Sequence, residues 1–123
     1  MRIGVDIVEV ARLGRALERA PKLERSIFTV GELREASAYQ SRRRIEFLAG
    51  RLAAKEAVVK ALGMGLADGI PLTEIECRRL EEGGADLRMS GSAQAACLGR
   101  GLTRYQASIS HERGLAVCFV VLA

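Results

Sequence analysis

One stretch of the chain combines a strongly helix-forming composition with four charges in an otherwise small and apolar sequence. Residues 46–65 read EFLAGRLAAKEAVVKALGMG, and after the leading Glu46 the four charges are Arg51, Lys55, Glu56 and Lys60. On a helical wheel the larger apolar side chains fill an arc of about 140°, and small residues occupy most of the remaining face. Arg51 and Lys55 fall inside the apolar arc. The pattern therefore predicts a helix covered on nearly all sides, in which every charge needs a partner.

The four charges differ in how they can be satisfied. Glu56 and Lys60 are four residues apart and have opposite signs, so they can pair with each other. Arg51 and Lys55 have the same spacing but the same sign, and they repel unless an external anion lies between or above them. The alternative is that the long side chains cover apolar surface while their charged ends reach water.

Asp6 is a further charge within an otherwise apolar segment. Residues 3–8, IGVDIV, form a β-branched run that predicts a strand buried on both faces, and Asp6 interrupts this run without an obvious local partner. A carboxylate from a strand and one from a helix, with lysines nearby, can bind a hard divalent cation and a polyphosphate together. Mg²⁺ typically takes one or two carboxylates and completes its shell with phosphate oxygens and water.

The remaining sequence predicts an α+β domain. Apolar residues at helical intervals indicate an amphipathic helix over roughly 9–20, and TVGE at 29–32 matches a capping box that opens a helix over about 30–40. Further along, the pattern predicts a hairpin around EEGG, a short helix in SGSAQAACLGRG, and strands at YQASIS and GLAVCFVVL. We expect residues 1–123 to form one domain, with a mainly antiparallel sheet packed against one long and several shorter helices.

Composition narrows the cellular setting and the partners. No apolar run approaches the roughly 20 residues of a membrane helix, and the N-terminus lacks a signal-peptide pattern. The three cysteines are far apart without a C-x-x-C pair, which indicates small core residues with reduced thiols in a cytoplasmic protein. The net charge of +4 suggests that the protein binds anionic partners, but the few aromatic residues argue against binding to nucleic acid.

Three segments carry a resemblance to a known family: GVDIVEVARL at 4–13, FLAGRLAAKEAVVKALGMG at 47–65 and SISHERGLAVCFVV at 108–121. In this order they resemble the holo-acyl-carrier-protein synthases, the small trimeric 4'-phosphopantetheinyl transferases. The resemblance implies the 4'-phosphopantetheinyl transferase-like fold and a Mg²⁺-dependent reaction. In that reaction the 4'-phosphopantetheine group of coenzyme A passes to a serine of apo acyl carrier protein, and adenosine 3',5'-bisphosphate is released.

The resemblance also implies roles for the charged residues in segments 3–8 and 46–65. Asp6 and Glu56 would be the metal ligands, and Lys60 would neutralise the coenzyme A pyrophosphate, so these three form the catalytic group. Arg51 would be a further phosphate contact. The base that activates the carrier serine would be either a metal-bound water or Glu56 itself.

Other implied contacts involve the partners. Ser110 and His111 would lie beside the coenzyme A phosphates, and the first helix would dock the acidic carrier protein through Arg12 and Arg15, with Arg19 beside them. The family's active sites lie between subunits of a homotrimer, so we expect the small-residue face of the long helix to serve a subunit interface.

Two departures from the family pattern leave alternatives open. The hairpin reads EEGGADLRM, without the usual Gly-Lys/Arg-Pro, and Met64 replaces the usual threonine after the long helix. One alternative is therefore a degenerate member that binds coenzyme A or carrier protein without transfer. A second alternative, based on the positive charge and SRRR at 41–44, is a small basic nucleic-acid-binding domain.

Overall fold

The computed structural model describes residues 1–65 and 68–123, and its five strands form one antiparallel sheet in the order β1–β5–β4–β3–β2. The strands are β1 (Arg2–Glu9), β2 (Ile75–Arg79), β3 (Ala85–Met89), β4 (Tyr105–Glu112) and β5 (Leu115–Leu122). The helices are α1 (Val10–Arg19), α2 (Leu23–Ile27), α3 (Val30–Ala36), α4 (Ser41–Ala61) and α5 (Gly91–Leu98). The predicted α+β class and the antiparallel sheet are confirmed.

The long helix α4 packs across one face of the sheet. It begins at Ser41, five residues before the stretch 46–65 that carries the unusual charges. Its C-terminus is a Schellman motif, in which the Gly63 and Met64 N–H groups donate to the carbonyls of Lys60 and Val59 at 2.9 and 3.0 Å. Gly63 takes the left-handed φ of 71° that this motif requires. Local sequence therefore explains where the helix ends.

The small-residue face of α4 packs against the chain's own sheet, so its predicted role in a subunit interface is wrong. A Cβ atom on Gly4 of β1 would lie 2.0 Å from the Ala57 carbonyl oxygen and 3.0 Å from the Ala61 nitrogen. Ala53, Ala54 and Ala57 are fully buried. Strand and helix backbones approach this closely because neither side presents a bulky side chain.

Strand β1 was predicted to be buried on both faces, and this prediction is wrong. Ile3, Val5 and Ile7 are 59%, 50% and 60% exposed, whereas Gly4 on the alternate face is buried. The reason is that β1 is an edge strand, paired only with β5, and α4 covers just one side of the sheet. The uncovered side continues onto β5, where Phe119 pairs with Val5 and is 45% exposed.

Shorter elements agree with the local signals except in three places. The capping box is confirmed, since the Glu32 N–H donates to Thr29 Oγ1 at 3.1 Å and the Thr29 N–H donates to Glu32 Oε1 at 2.9 Å. The helix that it opens ends at Ala36, earlier than predicted. Helix α2 and a 3-10 turn at Leu72–Glu74 were not predicted. None of the described helices has the length and apolar composition of a membrane span.

Candidate active site

Asp6 and Lys60 meet where β1 crosses the C-terminal half of α4. Lys60 Nζ lies 2.7 Å from Asp6 Oδ1, and the Asp6 side chain is only 16% exposed. Asp6 lies on the same face of β1 as Gly4, so the close packing at Gly4 holds the carboxylate against the helix. The sequence suggested that Lys60 pairs with Glu56. The structure pairs it with Asp6 instead, which gives Asp6 a partner 54 residues away.

Glu56 lies beside this pair and is half-buried. Burial raises the pKa of Glu56, the negative charge of Asp6 raises it further, and the positive charge of Lys60 partly offsets both effects. Two partly buried carboxylates and one exposed ammonium therefore lie together, with a net negative charge. A cation placed between the carboxylates would relieve their repulsion.

A cavity of about 510 Å³ between α1, β1 and α4 opens onto Asp6 and Glu56, and we call it the acids' cavity. Asp6, Glu9, Glu56 and Arg12 contribute to its lining, which is otherwise apolar. Arg15 and Arg19 are exposed on α1 and do not line this cavity, so of the three arginines only Arg12 reaches the acids' cavity. An elongated ligand with a charged end and an apolar arm fits this distribution of polar and apolar wall.

The donor set of this cavity suits a hard divalent cation such as Mg²⁺. Asp6 and Glu56 offer carboxylate oxygens, which are the ligands that this ion prefers, and two carboxylates match the number that it usually takes. No group of three or more His, Cys, Asp and Glu side chains with the spacing of a metal site occurs within residues 1–65 and 68–123. A bound substrate and water would therefore have to supply the remaining ligands.

Lys55 has a different role from the one that its position in the motif suggested. Its ammonium is fully buried and lies 2.7 Å from Glu32 Oε1, and it also donates to the Leu72 carbonyl at 2.9 Å. The other Glu32 oxygen accepts the Cys77 N–H at 2.7 Å. Neither alternative from the sequence holds for Lys55: its end does not reach water, and an internal carboxylate rather than an external anion neutralises it.

Arg51 and His111 line a second cavity of about 430 Å³, between α4 and the strands β2–β4. Arg51 is 6% exposed, and its guanidinium lies 4.0 Å from the centre of the Phe47 ring. His111 Nε2 donates to the Glu46 carbonyl at 2.9 Å. This contact requires Gly50 on α4, where a Cβ would lie 3.2 Å from the same nitrogen.

Ser110 is separated from His111 by the alternation of side chains along β4. It pairs with Val117 of β5, on the uncovered side of the sheet, whereas His111 pairs with Ala116 on the side that faces α4. The family resemblance implies that both residues lie beside coenzyme A, but within one chain they point to opposite faces of the sheet. Tyr39, between α3 and α4, and Arg79, on β2, also line the Arg51 cavity, and no sequence motif indicated either of them.

The three cysteines are free and buried, as predicted for small core residues. Burial raises the pKa of Cys77 to about 11 and that of Cys118 to about 12. Very little reactive thiolate is therefore present at neutral pH, and neither thiol is suited to act as a nucleophile.

The sequence matches a known family over most of its length. Residues 2–118 match the 4'-phosphopantetheinyl transferase superfamily. The chain belongs to this superfamily. A holo-[acyl-carrier-protein] synthase of Alteromonas mediterranea is 42% identical over 120 residues, which cover 98% of this chain and 94% of that protein. A protein of the same name from Halorhodospira halophila is 42% identical over 124 residues.

Solved structures of transferases with this name have the same fold. A holo-(acyl-carrier-protein) synthase from Bacillus anthracis, solved in complex with CoA (3',5'-ADP), superposes with a TM-score of 0.80 at 35% identity, covering 98% of this chain and 94% of that chain. The enzyme from Neisseria meningitidis gives a TM-score of 0.87 at 28% identity, with 99% and 97% coverage. The resemblance stated from the three sequence segments is thus confirmed.

Proposed function

We propose that this transferase moves the 4'-phosphopantetheine group from coenzyme A to a serine of an apo acyl carrier protein and releases adenosine 3',5'-bisphosphate. The observation that carries the proposal is the meeting of Asp6 and Glu56 at one cavity, with Lys60 paired to Asp6. Membership of the superfamily and similarity to a holo-[acyl-carrier-protein] synthase over nearly the full length of both chains support it. Residues 1–123 act in this proposal as one domain. These relationships favour transfer over the nucleic-acid-binding alternative.

In this proposal Asp6 and Glu56 hold Mg²⁺, which would supply positive charge next to the coenzyme A diphosphate. The chain itself has three further tasks. Lys60, whose exposed side chain is paired with Asp6, stabilises the charge that builds on the leaving phosphate. The apolar cavity wall, which includes Leu13 and Leu52, receives the pantetheine arm. The nucleophile is the carrier's serine hydroxyl, so this chain needs none of its own.

The carrier protein docks on helix α1 in this proposal. Arg12, Arg15 and Arg19 are exposed there and form no ion pair with any other residue that the structure describes. Acyl carrier proteins are acidic along the helix that is recognised, so attraction between opposite charges would mainly accelerate association and would weaken at high salt. Arg12 lies at the cavity, which would bring the carrier serine close to the two acids.

We further propose that the protein is a cytoplasmic homotrimer with active sites at the subunit interfaces. The uncovered face of the sheet supports this assembly, because Ile3, Val5, Ile7 and Phe119 form a continuous exposed apolar surface. Ser110 lies on that face and would reach a ligand bound between subunits. The three free thiols fit a reducing compartment.

The function can be tested by incubating the protein with apo carrier protein, coenzyme A and Mg²⁺ and weighing the carrier by mass spectrometry. We expect the carrier to gain the mass of one phosphopantetheine group. Asp6→Asn and Glu56→Gln should each reduce the transfer rate by about a hundredfold or more while keeping the wild-type melting temperature, since they remove ligand charge rather than core volume. Asp86→Asn, which removes an acid on β3 outside the acids' cavity, is the matched control.

A degenerate member without transferase activity would give a different result. It would bind coenzyme A and leave the carrier mass unchanged under conditions in which a known synthase modifies it. Normal turnover by Asp6→Asn or Glu56→Gln would contradict the assignment of these acids.

A further inference from the structure

A row of aromatic and basic side chains lies along the Arg51 cavity, and its members Tyr39, Phe47 and Arg51 line that cavity. The Arg43 guanidinium lies 5.6 Å from the centre of the Tyr39 ring, the Tyr39 and Phe47 ring centres are 5.3 Å apart, and the Arg51 guanidinium lies 4.0 Å from the Phe47 ring centre. The Tyr39 hydroxyl accepts a hydrogen bond from an Nη of Arg79 at 2.8 Å. The Tyr39 ring therefore lies beside both Arg43 and Phe47, and its hydroxyl holds Arg79.

The charges around this cavity indicate an anionic ligand. Arg51, Arg79 and His111 contribute to its lining, and none of the residues that line it is acidic. Arg79 forms no ion pair with another described residue, although its backbone N–H donates to the Glu35 carboxylate. The Arg51 side chain is more than nine-tenths buried, and its Nε has no hydrogen-bond partner in the described part of the chain. A buried guanidinium that no carboxylate among the described residues neutralises favours an anion in the cavity beside it.

Coenzyme A carries two kinds of phosphate, and the two cavities differ in the kind that each suits. The diphosphate matches the Asp6 and Glu56 site, where two carboxylates require a cation between protein and ligand. The phosphate monoester on the ribose carries close to two negative charges at neutral pH and needs direct cationic donors. The Arg51 cavity offers guanidinium groups without competing acids, and guanidinium matches phosphate geometry better than an ammonium does.

We propose that Tyr39 is a positioning residue that holds the Arg79 guanidinium toward the ribose phosphate of coenzyme A. Together the two residues set the preference for coenzyme A over its 3'-dephospho form. This inference rests on the proposed function only in that coenzyme A is the substrate. Holding Arg79 in one conformation before the ligand arrives reduces the conformational entropy lost on binding.

Calorimetric titration of coenzyme A and of 3'-dephospho-coenzyme A into four proteins tests this role. Arg79→Gln should weaken coenzyme A binding about tenfold or more, the usual value of a charge-assisted hydrogen bond, and should change dephospho-coenzyme A binding by less than about twofold. Tyr39→Phe keeps the aromatic ring and removes only the hydroxyl. It should weaken coenzyme A binding a few-fold and, like Arg79→Gln, leave the binding of dephospho-coenzyme A almost unchanged. Arg34→Gln makes the same charge change at an exposed position outside the cavity and should match wild type.

The outcomes separate this inference from the proposed function. Equal losses for both ligands in Arg79→Gln, or no loss for either, would overturn the role of Arg79 and Tyr39. If wild-type protein bound no coenzyme A, the proposed function would fail with it. If Arg79→Gln does not fold, Arg79→Lys replaces it in the experiment, because lysine retains the charge without the planar guanidinium. We expect Arg79→Lys to lose less coenzyme A affinity than Arg79→Gln would and to bind dephospho-coenzyme A almost as wild type does. Equal affinity of Arg79→Lys for the two ligands would contradict the inference.

Discussion

At the scale of single residues, the buried pair of Lys55 and Glu32 gives the clearest stability prediction. Lys55→Met should lower the free energy of unfolding by about 3–5 kcal/mol, because it leaves the buried Glu32 carboxylate without its positive partner. Urea unfolding measures the loss. Adding Glu32→Gln to this variant should restore part of the stability, since the uncompensated charge is then removed.

Lys22→Met is the matched control for this measurement, because Lys22 is exposed. It should change the free energy of unfolding by less than about 0.5 kcal/mol. A similarly small effect of Lys55→Met would show that the ammonium does not stabilise the fold.

At the scale of elements, the contact between β1 and α4 should tolerate no side chain at position 4. Gly4→Ala places a Cβ 2.0 Å from the Ala57 carbonyl oxygen, so the strand has to move away from the helix. We expect a loss of about 3 kcal/mol or more in the free energy of unfolding. Transfer activity should fall as well, because Asp6 lies two residues further along the same strand. Thermal and urea unfolding, together with the carrier mass measurement, test both parts.

The same substitution at Gly14 should have the opposite sign. Gly14 lies within α1, where a Cβ would be 3.6 Å from the nearest atom, an ordinary van der Waals contact with Ile45. Gly14→Ala should therefore stabilise the protein by about 0.5–1 kcal/mol through helix propensity. Equal effects of the two substitutions would contradict the importance of the close strand–helix contact.

The connection between α2 and α4 should depend on pH. Glu24 accepts two hydrogen bonds from Arg44, at 2.6 and 3.0 Å, and these bonds lower the pKa of Glu24. The folded state therefore binds this proton more weakly than the unfolded chain does. The stabilisation is complete above the ordinary glutamate pKa of about 4.3 and is lost as the pH falls through the lower folded value.

Glu24→Gln should accordingly cost about 1 kcal/mol at pH 7 and progressively less below pH ~4. Urea unfolding at several pH values measures this difference. Glu18→Gln removes an exposed acid on α1 and should show no such trend. A cost for Glu24→Gln that stayed constant down to pH ~3 would exclude the pair as its source.

For the whole molecule, the uncovered sheet face should control assembly. Val5→Lys puts a charge beside Phe119 in the centre of that face, and burying it in an interface would be costly. We expect sedimentation velocity to show monomers instead of trimers and the transfer rate to fall with assembly. Val30→Lys, on α3 and 73% exposed, should remain trimeric. A fully trimeric Val5→Lys variant would place the interface elsewhere.

Much of the secondary structure could be predicted because its signals act over a few residues. The capping box at Thr29, the long helix and its glycine stop, and the strand-forming runs of β4 and β5 all depend on neighbours within about one turn or one strand. Family motifs also indicated which acids and which lysine to examine. Helix α2 lacks both an N-cap hydrogen bond from a side chain and a buried residue, and thus carried no comparable signal.

The sequence by itself determined the α+β class, the main elements and the residue types available for phosphate chemistry, since local propensity and capping require no knowledge of distant partners. Only the tertiary structure decided which charge meets which. It paired Lys60 with Asp6 and Lys55 with Glu32, and it brought Tyr39 to Arg79. These contacts depend on sheet order and on how closely α4 approaches β1, and both result from packing the whole chain at once.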